Sequence, residues 1–426
     1  MVDFRMDDVF AYCGGAPADA GVTEDDWNNV MATYNADSLS FLTETTWRTA
    51  REQTGNLSEM DDSLGRVAEA IRKDAKLAAM FWYAYSKHVY PKGVIKGRIK
   101  GLPMPVTLGD DKEMFYLLVA LCFLPHIWEN HRAHGIPEEI TLNTLRKFRE
   151  HPVWFKSIFG KFGLASGHLN WLSHYIHSPM CRLDRLEFWP QPSCLPYNAW
   201  RRKSDGVMVV FPNDGLEFTE TGVQFNEFEP QDSRRWKAVY AEDEKIVRGT
   251  PFSPAGVALE KVIELKKDDW VNVYRPGDNV AAMHIPFGGG LTPERAFKSF
   301  SAVQPFFSRL YPELPFRMIQ CVSWIMGKHL EHFLMPEANL LNLQHNLYMM
   351  PHASNKYGGL SFLFPGLNEE NPDFDSAPQD NSMRRSIVSY LKAGGRWRVG
   401  AMFFDTNDID DYGKQPYLTR WNNAGF

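Results

Sequence analysis

Between residues 280 and 310 the chain reads as an apolar strand, three consecutive glycines and a capped helix, an order that few folds accommodate. Val280–Ile285 (VAAMHI) is apolar apart from His284, which predicts a strand with one polar interruption. Phe287 to Gly290 is a glycine loop, and Leu291 is followed by Thr292 and Pro293. That pair suits an N-cap and a first turn, so a helix is expected from there to about Leu310. Phe316 to Trp324 reads as the next strand, Glu331 to Met349 as a second helix, and Leu360 to Phe364 as a further strand. The alternation implies an α/β unit. A glycine loop between strand and helix is a device for anions. Its amides approach oxygen atoms with no Cβ in the way, and the positive end of the helix favours phosphate. Taken alone, Gly288, Gly289 and Gly290 also describe a flexible turn with no ligand.

The chain before this unit has a different period. Asp62 to Tyr90 and Met114 to His131 carry apolar residues at three- and four-residue spacing, which predicts helices. Gly135 follows where a helix stop is expected, and Thr141 reads as an N-cap for Leu142 to Arg149. Residues 1 to about 40 read as loop-rich. After Pro179 the pattern changes again: Arg182 to Phe188 (RLDRLEF) alternates as a strand would, and WPQPSCLP reads as a loop. Val207 to Phe211 is a short strand, Leu216 to Phe228 a hairpin around Glu220 to Gly222, and Pro251 to Gly256 a turn. At 426 residues the chain is too long for one ordinary core. The expected division is a mainly helical domain over 1–178 and a mixed-sheet domain over 179–426, so the whole is α+β with an α/β unit inside it.

Charge and cysteines exclude some functions. A net charge of −6 argues against nucleic-acid binding, which usually needs a basic face. The apolar run Tyr116 to Leu124 is too short to span a bilayer. Met1 to Asp8 is polar and acidic, unlike a signal peptide. Cys13, Cys122, Cys181, Cys194 and Cys321 are odd in number, with no Cys-x-x-Cys pair. That fits a reducing compartment, hence a cytoplasmic protein, and argues against a structural zinc site. His174 and His177 share a helical face, yet no carboxylate completes a metal motif, so no metal is expected.

Several stretches in order, from HRAHGIP through GHLNWLSHYI, RLDRLEF and DDWVNVYRPGDNVAAMHIPFGGGLTPE to CVSWIMGKHLEHFLMPEANLLNLQ and MRRSIVSYLKAGGRWRVG, carry a resemblance. Over about residues 131 to 400 the chain resembles the GNAT-fold N-acyltransferases. More closely, it resembles a bacterial group that pairs a helical N-terminal domain with a GNAT-like C-terminal domain. The resemblance implies two parallel strands that splay apart around a pantetheine arm, here Val280 to Ile285 and Phe316 to Trp324. It implies that the donor's phosphates lie on the loop of Ile285, Phe287, Gly288, Gly289, Gly290 and Thr292. Two departures stand out: Ile285 replaces the usual Arg or Gln at the start of the loop, and the family's Asn-to-Tyr helical spacing is missing, with Met349 seven residues after Asn342. The implied function is transfer of an acyl group from acyl-CoA, or from a phosphopantetheine-bound acyl carrier protein, to a small-molecule amine. The alternatives are a non-catalytic pantetheine- or acyl-binding regulatory module and an acyl-thioester hydrolase.

Direct transfer needs a base for the attacking amine, a donor for the oxyanion and two substrates held in line. It needs neither a nucleophilic residue nor a metal. His284 is the candidate base, since a neutral imidazole works near neutral pH; a buried histidine bonded to a backbone carbonyl is the other reading. Cys321 and Ser323 lie on the facing strand. Cys321 offers a covalent acyl-cysteine route or simply fills core space, and Ser323 offers a donor to the thioester sulfur or the pantetheine. Trp324 packs or lines an acyl pocket. Asn339, Asn342 and Gln344 offer amides to the pantetheine or to water, and Tyr348 offers a proton to the departing thiolate. Arg396 and Arg398 would share one side of a strand, facing either a phosphate or solvent.

Overall fold

The computed structural model of the chain describes residues 4–35, 37–55, 57–90 and 101–426. It divides into two compact units, Met1–Arg182 with Pro286–Gly288, and Leu183–Ile285 with Gly289–Phe426.

The first unit is helical. Its centre is Met114–Leu121, in which all eight residues are buried. A helix apolar on every side needs neighbours all round. Glu44–Gln53, Asp61–Lys73, Ala75–Val89, Lys147–Phe159 and Leu169–Leu172 supply them. The predicted helix over Asp62 to Tyr90 is two helices broken at Asp74. Its carboxylate leaves the first and caps the second, accepting from the Lys76 and Leu77 amides at 2.8 and 3.0 Å. Thr141 is not an N-cap: it lies inside the helix Glu138–Leu145, and its hydroxyl meets His131 Nδ1 at 2.9 Å. The first 40 residues also differ from the expectation. Met6–Tyr12 and Glu24–Met31 are helices that bury Val9, Phe10, Trp27 and Val30, and Thr23 caps the second. Gly14, Gly15, Pro17 and Gly21 crowd the same window, and turn signals mask short helices. Among the described residues no helix is long and apolar enough to cross a membrane.

The second unit is built on a six-stranded sheet. Its strands are β1 (Cys181–Leu183), β2 (Leu186–Pro192), β3 (Asn279–His284), β4 (Met318–Ser323), β5 (Tyr348–Pro351) and β6 (Gly400–Asp405), in the order β1-β2-β3-β4-β6-β5. Only β3 and β4 run parallel among the pairs whose direction is resolved, and they are joined through the helix Pro293–Leu310. A five-stranded antiparallel sheet carries Tyr197–Arg202 next to its edge strand and packs around Trp200, Phe211 and Trp270. RLDRLEF is not one strand. Asp184 sits at φ 55° and turns β1 back into β2, which continues into the stretch expected to be a loop.

The predicted helix Glu331 to Met349 is absent as such. A tight turn over Lys328–His332, a break at Pro336, the short helix Asn339–His345 and β5 take its place. Proline cannot donate to a helix and disfavours a helical residue before it. Leu360–Phe362 is a single helical turn rather than a strand; it belongs to an apolar cluster with Phe364, Ile387 and Trp397.

Candidate functional site

The parallel pair β3–β4 sets the geometry. Val280, Ala281 and Ala282 pair with Met318, Ile319 and Gln320, and the pairing stops there. Both strands nonetheless continue, each bonded on its outer side. Met283 and His284 pair with Phe188 and Glu187 of β2. Cys321, Val322 and Ser323 pair with Met402, Ala401 and Gly400 of β6. The register between the two strands therefore ends before Met283–His284 and Cys321–Ser323, which each stay in a ladder on the outer side. Val322 is 41% exposed at this end, an apolar side chain in the middle of a sheet where burial would be the rule.

His284 stands at the open end of β3. Its Nδ1 lies 2.7 Å from Glu187 Oε2, and the Glu187 side chain has no exposed surface while that of His284 is 27% exposed. The ladder places these two residues directly across from one another.

Beyond His284 the chain makes the glycine loop. Gly288 and Gly290 take φ of 108° and 83°, which side chains with a Cβ adopt only under strain. A Cβ added at Gly289 would meet nothing within 4 Å. Arg185 Nε donates to the Gly289 carbonyl at 3.2 Å, and Arg295 Nη1 to that of Gly290 at 3.4 Å. With both carbonyls tied to guanidinium groups, the amides of Gly289 and Gly290 form no hydrogen bond to any described residue. Thr292 Oγ1 accepts from the Arg295 amide at 3.4 Å, so the helix begins as its sequence predicts, at Pro293, and ends at Leu310. Arg295 and the largely exposed Lys298 place positive charge on its first two turns, both against Asp184.

Comparison with known proteins identifies the two regions of the chain. Residues 180–404 match the GNAT-like C-terminal domain, and residues 46–177 match the N-acyltransferase N-terminal domain. The chain belongs to this N-acyltransferase family. No curated protein matches it. Among solved structures, a mutant acyltransferase in complex with octanoyl-CoA is 17% identical with a TM-score of 0.56, covering 91% of this chain and 98% of that one. An acyltransferase in complex with CoA and 10C-teicoplanin is 19% identical with a TM-score of 0.50, covering 84% and 99%. At these identities the likeness is one of fold.

The remaining candidates of this acyltransferase fall into two groups. Ile285, Phe287, Gly288, Gly289, Gly290 and Thr292 follow one another from the open end of β3 to the helix, with Phe287 45% exposed. Cys321 and Ser323 are on β4 beyond the last paired residue. Burial pushes the Cys321 thiol up to about 12, so it is not a thiolate near neutral pH. Ser323 Oγ accepts from the Ile325 amide at 3.2 Å and starts the turn at Trp324, whose ring stacks on Trp397. The other group lies on other elements. Gln344 Nε2 donates to the Ile325 and Gly327 carbonyls, Asn339 is an exposed helix start, and Asn342 lies half-buried on the same helix. The Tyr348 hydroxyl bonds Phe252 O and the Val210 amide, and burial raises it well above the usual phenol range. Arg398 pairs with buried Glu229, and Arg396 donates to Phe228 O. Among the described residues no group of three or more His, Cys, Asp or Glu side chains could hold a metal ion. Glu187 and Val322 were missed from the sequence. The one available signal for Glu187 was a charge inside an apolar strand.

A cavity of about 550 Å³ lies at the other end of the same strands, lined by Tyr274, Asp278, Asn279, Phe316, Arg317 and Met318 among others. Volume favours that end and chemistry the open one. The Arg317 guanidinium there is already bound by Asp405, whereas the open end holds the imidazole, the strand ends beyond the last β3–β4 pair and the glycine loop.

Proposed function

We propose that the protein transfers an acyl group from an acyl-CoA thioester to a small-molecule amine at the open end of β3 and β4, with His284 as general base. The observation that carries this reading is the pairing of β3 and β4, which ends at Ala282 and Gln320 although both strands run on. A pantetheine arm is a narrow chain with two amides, and strand edges beyond the end of a ladder suit its main-chain recognition. The donor's phosphates then lie on Gly288 to Gly290 and Thr292, where glycine amides and a helix N-terminus meet.

In the reaction the amine nitrogen attacks the thioester carbonyl, the C–N bond forms and the C–S bond breaks. His284 Nε2 takes the proton lost by the amine, and the resulting imidazolium returns a proton to the departing thiolate, so the products are amide and free thiol. Cys321 takes no part, because its thiol is buried and protonated. Coenzyme A, rather than an acyl carrier protein, is the donor we favour, since the solved structures of similar fold are complexes with CoA or acyl-CoA. One of those complexes also holds teicoplanin and decanoyl-CoA, which supports a small-molecule acceptor here. Free cysteines throughout the chain support a reducing, cytoplasmic setting.

Steady-state kinetics of His284→Ala with octanoyl-CoA and decanoyl-CoA, over a panel of amines, tests the reading. The variant is expected to lose about 10²- to 10⁴-fold in kcat with little change in donor KM. Raising the pH should partly rescue it, because more of the acceptor is already deprotonated. Wild-type kcat in the variant, or far faster turnover with acyl carrier protein than with the matching acyl-CoA, would overturn the base assignment or the donor respectively.

A further inference from the structure

Two apolar strands are each interrupted by one ionisable residue, and the register brings the interruptions together. β3 runs Val-Ala-Ala-Met before His284, and β2 carries Glu187 between the buried Leu186 and Phe188. An antiparallel ladder with any odd shift would send one of the two side chains to the opposite face. Here His284 pairs with Glu187 itself, and Nδ1 meets Oε2 at 2.7 Å. A carboxylate with no exposed surface is costly to bury, and a strand position of this kind is filled at no such cost by Val or Ile. The cost is offset by the hydrogen bond to His284, which of the two neutral tautomers only the Nδ1–H form can donate. An ionised carboxylate accepts and does not donate, so with Glu187 ionised and the imidazole neutral the ring's one proton is on His284 Nδ1. That leaves Nε2 with a lone pair.

We infer that Glu187 is a positioning residue for His284. Resting on the reading of His284 as base, it holds the imidazole in the Nδ1–H tautomer and balances the imidazolium formed when Nε2 takes the amine proton. No bond to Glu187 forms or breaks in the cycle, and the proton on Nδ1 stays there. Without the carboxylate the ring is free to carry its proton on Nε2, and in that tautomer it cannot act as a base toward the amine.

Glu187→Gln keeps the side-chain volume and removes the charge. Its amide can donate to Nδ1, which selects the wrong tautomer. Expected is a loss of roughly 100-fold or more in kcat with acyl-CoA KM within about twofold. Nitrogen-15 NMR of histidine-labelled protein should show Nδ1–H for His284 in the wild type and Nε2–H in the variant. A merely structural glutamate would lower stability and leave the tautomer alone. Should Glu187→Gln fail to fold, the wild-type spectrum still decides: an Nε2–H tautomer there overturns the inference. So does a variant with wild-type kcat. If His284→Ala itself retains wild-type kcat, the base assignment has failed first; if it loses activity while Glu187→Gln does not, only the role of Glu187 is wrong.

Discussion

The two ends of the β3–β4 pair are built on opposite rules. At the early end the strands are zipped together, and charge is locked. Asp405, with no exposed side-chain surface, follows on β6 opposite Met318 and accepts from Arg201 at 2.9 Å and from Arg317 at 2.7 Å. Arg201 also grips buried Asp408, and Arg420 joins from the C-terminal helix. At the late end the paired strands give way to separate ones, an exposed valine, a half-buried imidazole and a loop of three glycines. The first end ties two sheets of the second unit together. At the second end the pairing of the two strands stops, which is where the proposed donor would lie. On the proposed reading, stability and binding lie about one strand-length apart on the same two strands.

The largest effect should come from breaking the locked end. Asp405→Ala leaves Arg317 without its carboxylate and removes one of two from Arg201. Removing a buried ionic partner costs ~3–5 kcal/mol. The lower figure, about 3 kcal/mol, is expected because Arg201 keeps Asp408 and Arg317 is partly exposed. Chemical denaturation should show this loss while kcat per folded molecule stays near wild type. Lost activity with unchanged stability would reverse the roles of the two ends.

A smaller effect should follow at the open end from Gly289→Asp. A Cβ there meets nothing within 4 Å, so the fold should tolerate it, while a carboxylate beside the phosphates should repel them. Calorimetric titration with acyl-CoA should show at least a tenfold weaker affinity, roughly 1.4 kcal/mol, with little change in thermal midpoint. Unaltered affinity would remove the phosphates from this loop.

The smallest effect belongs to Cys321. With its thiol pushed up to about 12 by burial, it is protonated at pH 8. The folded-state pKa is raised, so the thiolate gains only as pH rises toward that value. Iodoacetamide at pH 8 should therefore modify the exposed Cys194 and spare Cys321, as read by peptide mass spectrometry. Cys321→Ala should leave kcat within about twofold, as for a small core residue. Near-complete loss would restore an acyl-cysteine route.

How much of this was legible depended on whether the signal was local. The strand ending at His284, the Thr292–Pro293 helix start and the stop near Leu310 are each fixed by residues a few positions apart, and they came through nearly residue for residue. The turn at Glu220 to Gly222 did too, closed by the Gly222 amide on Thr219 O. The segment Glu331 to Met349 misled because its apolar residues keep helical spacing on either side of Pro336, which divides it. The end of β3–β4 pairing is a long-range property, as is the partnership of Glu187 with a residue 97 positions away. A glutamate in sequence reads as surface, and only the sheet register reveals that it is buried.

The measurement that bears most directly on the account is a crystal structure of the protein with octanoyl-CoA. A pantetheine arm is expected between Met283–His284 and Cys321–Ser323, with phosphates against Gly288 to Gly290 and His284 Nε2 facing the approach to the thioester carbonyl. A donor lodged instead in the cavity beside Arg317, Asp278 and Phe316, with the gap between β3 and β4 left to water, would contradict it.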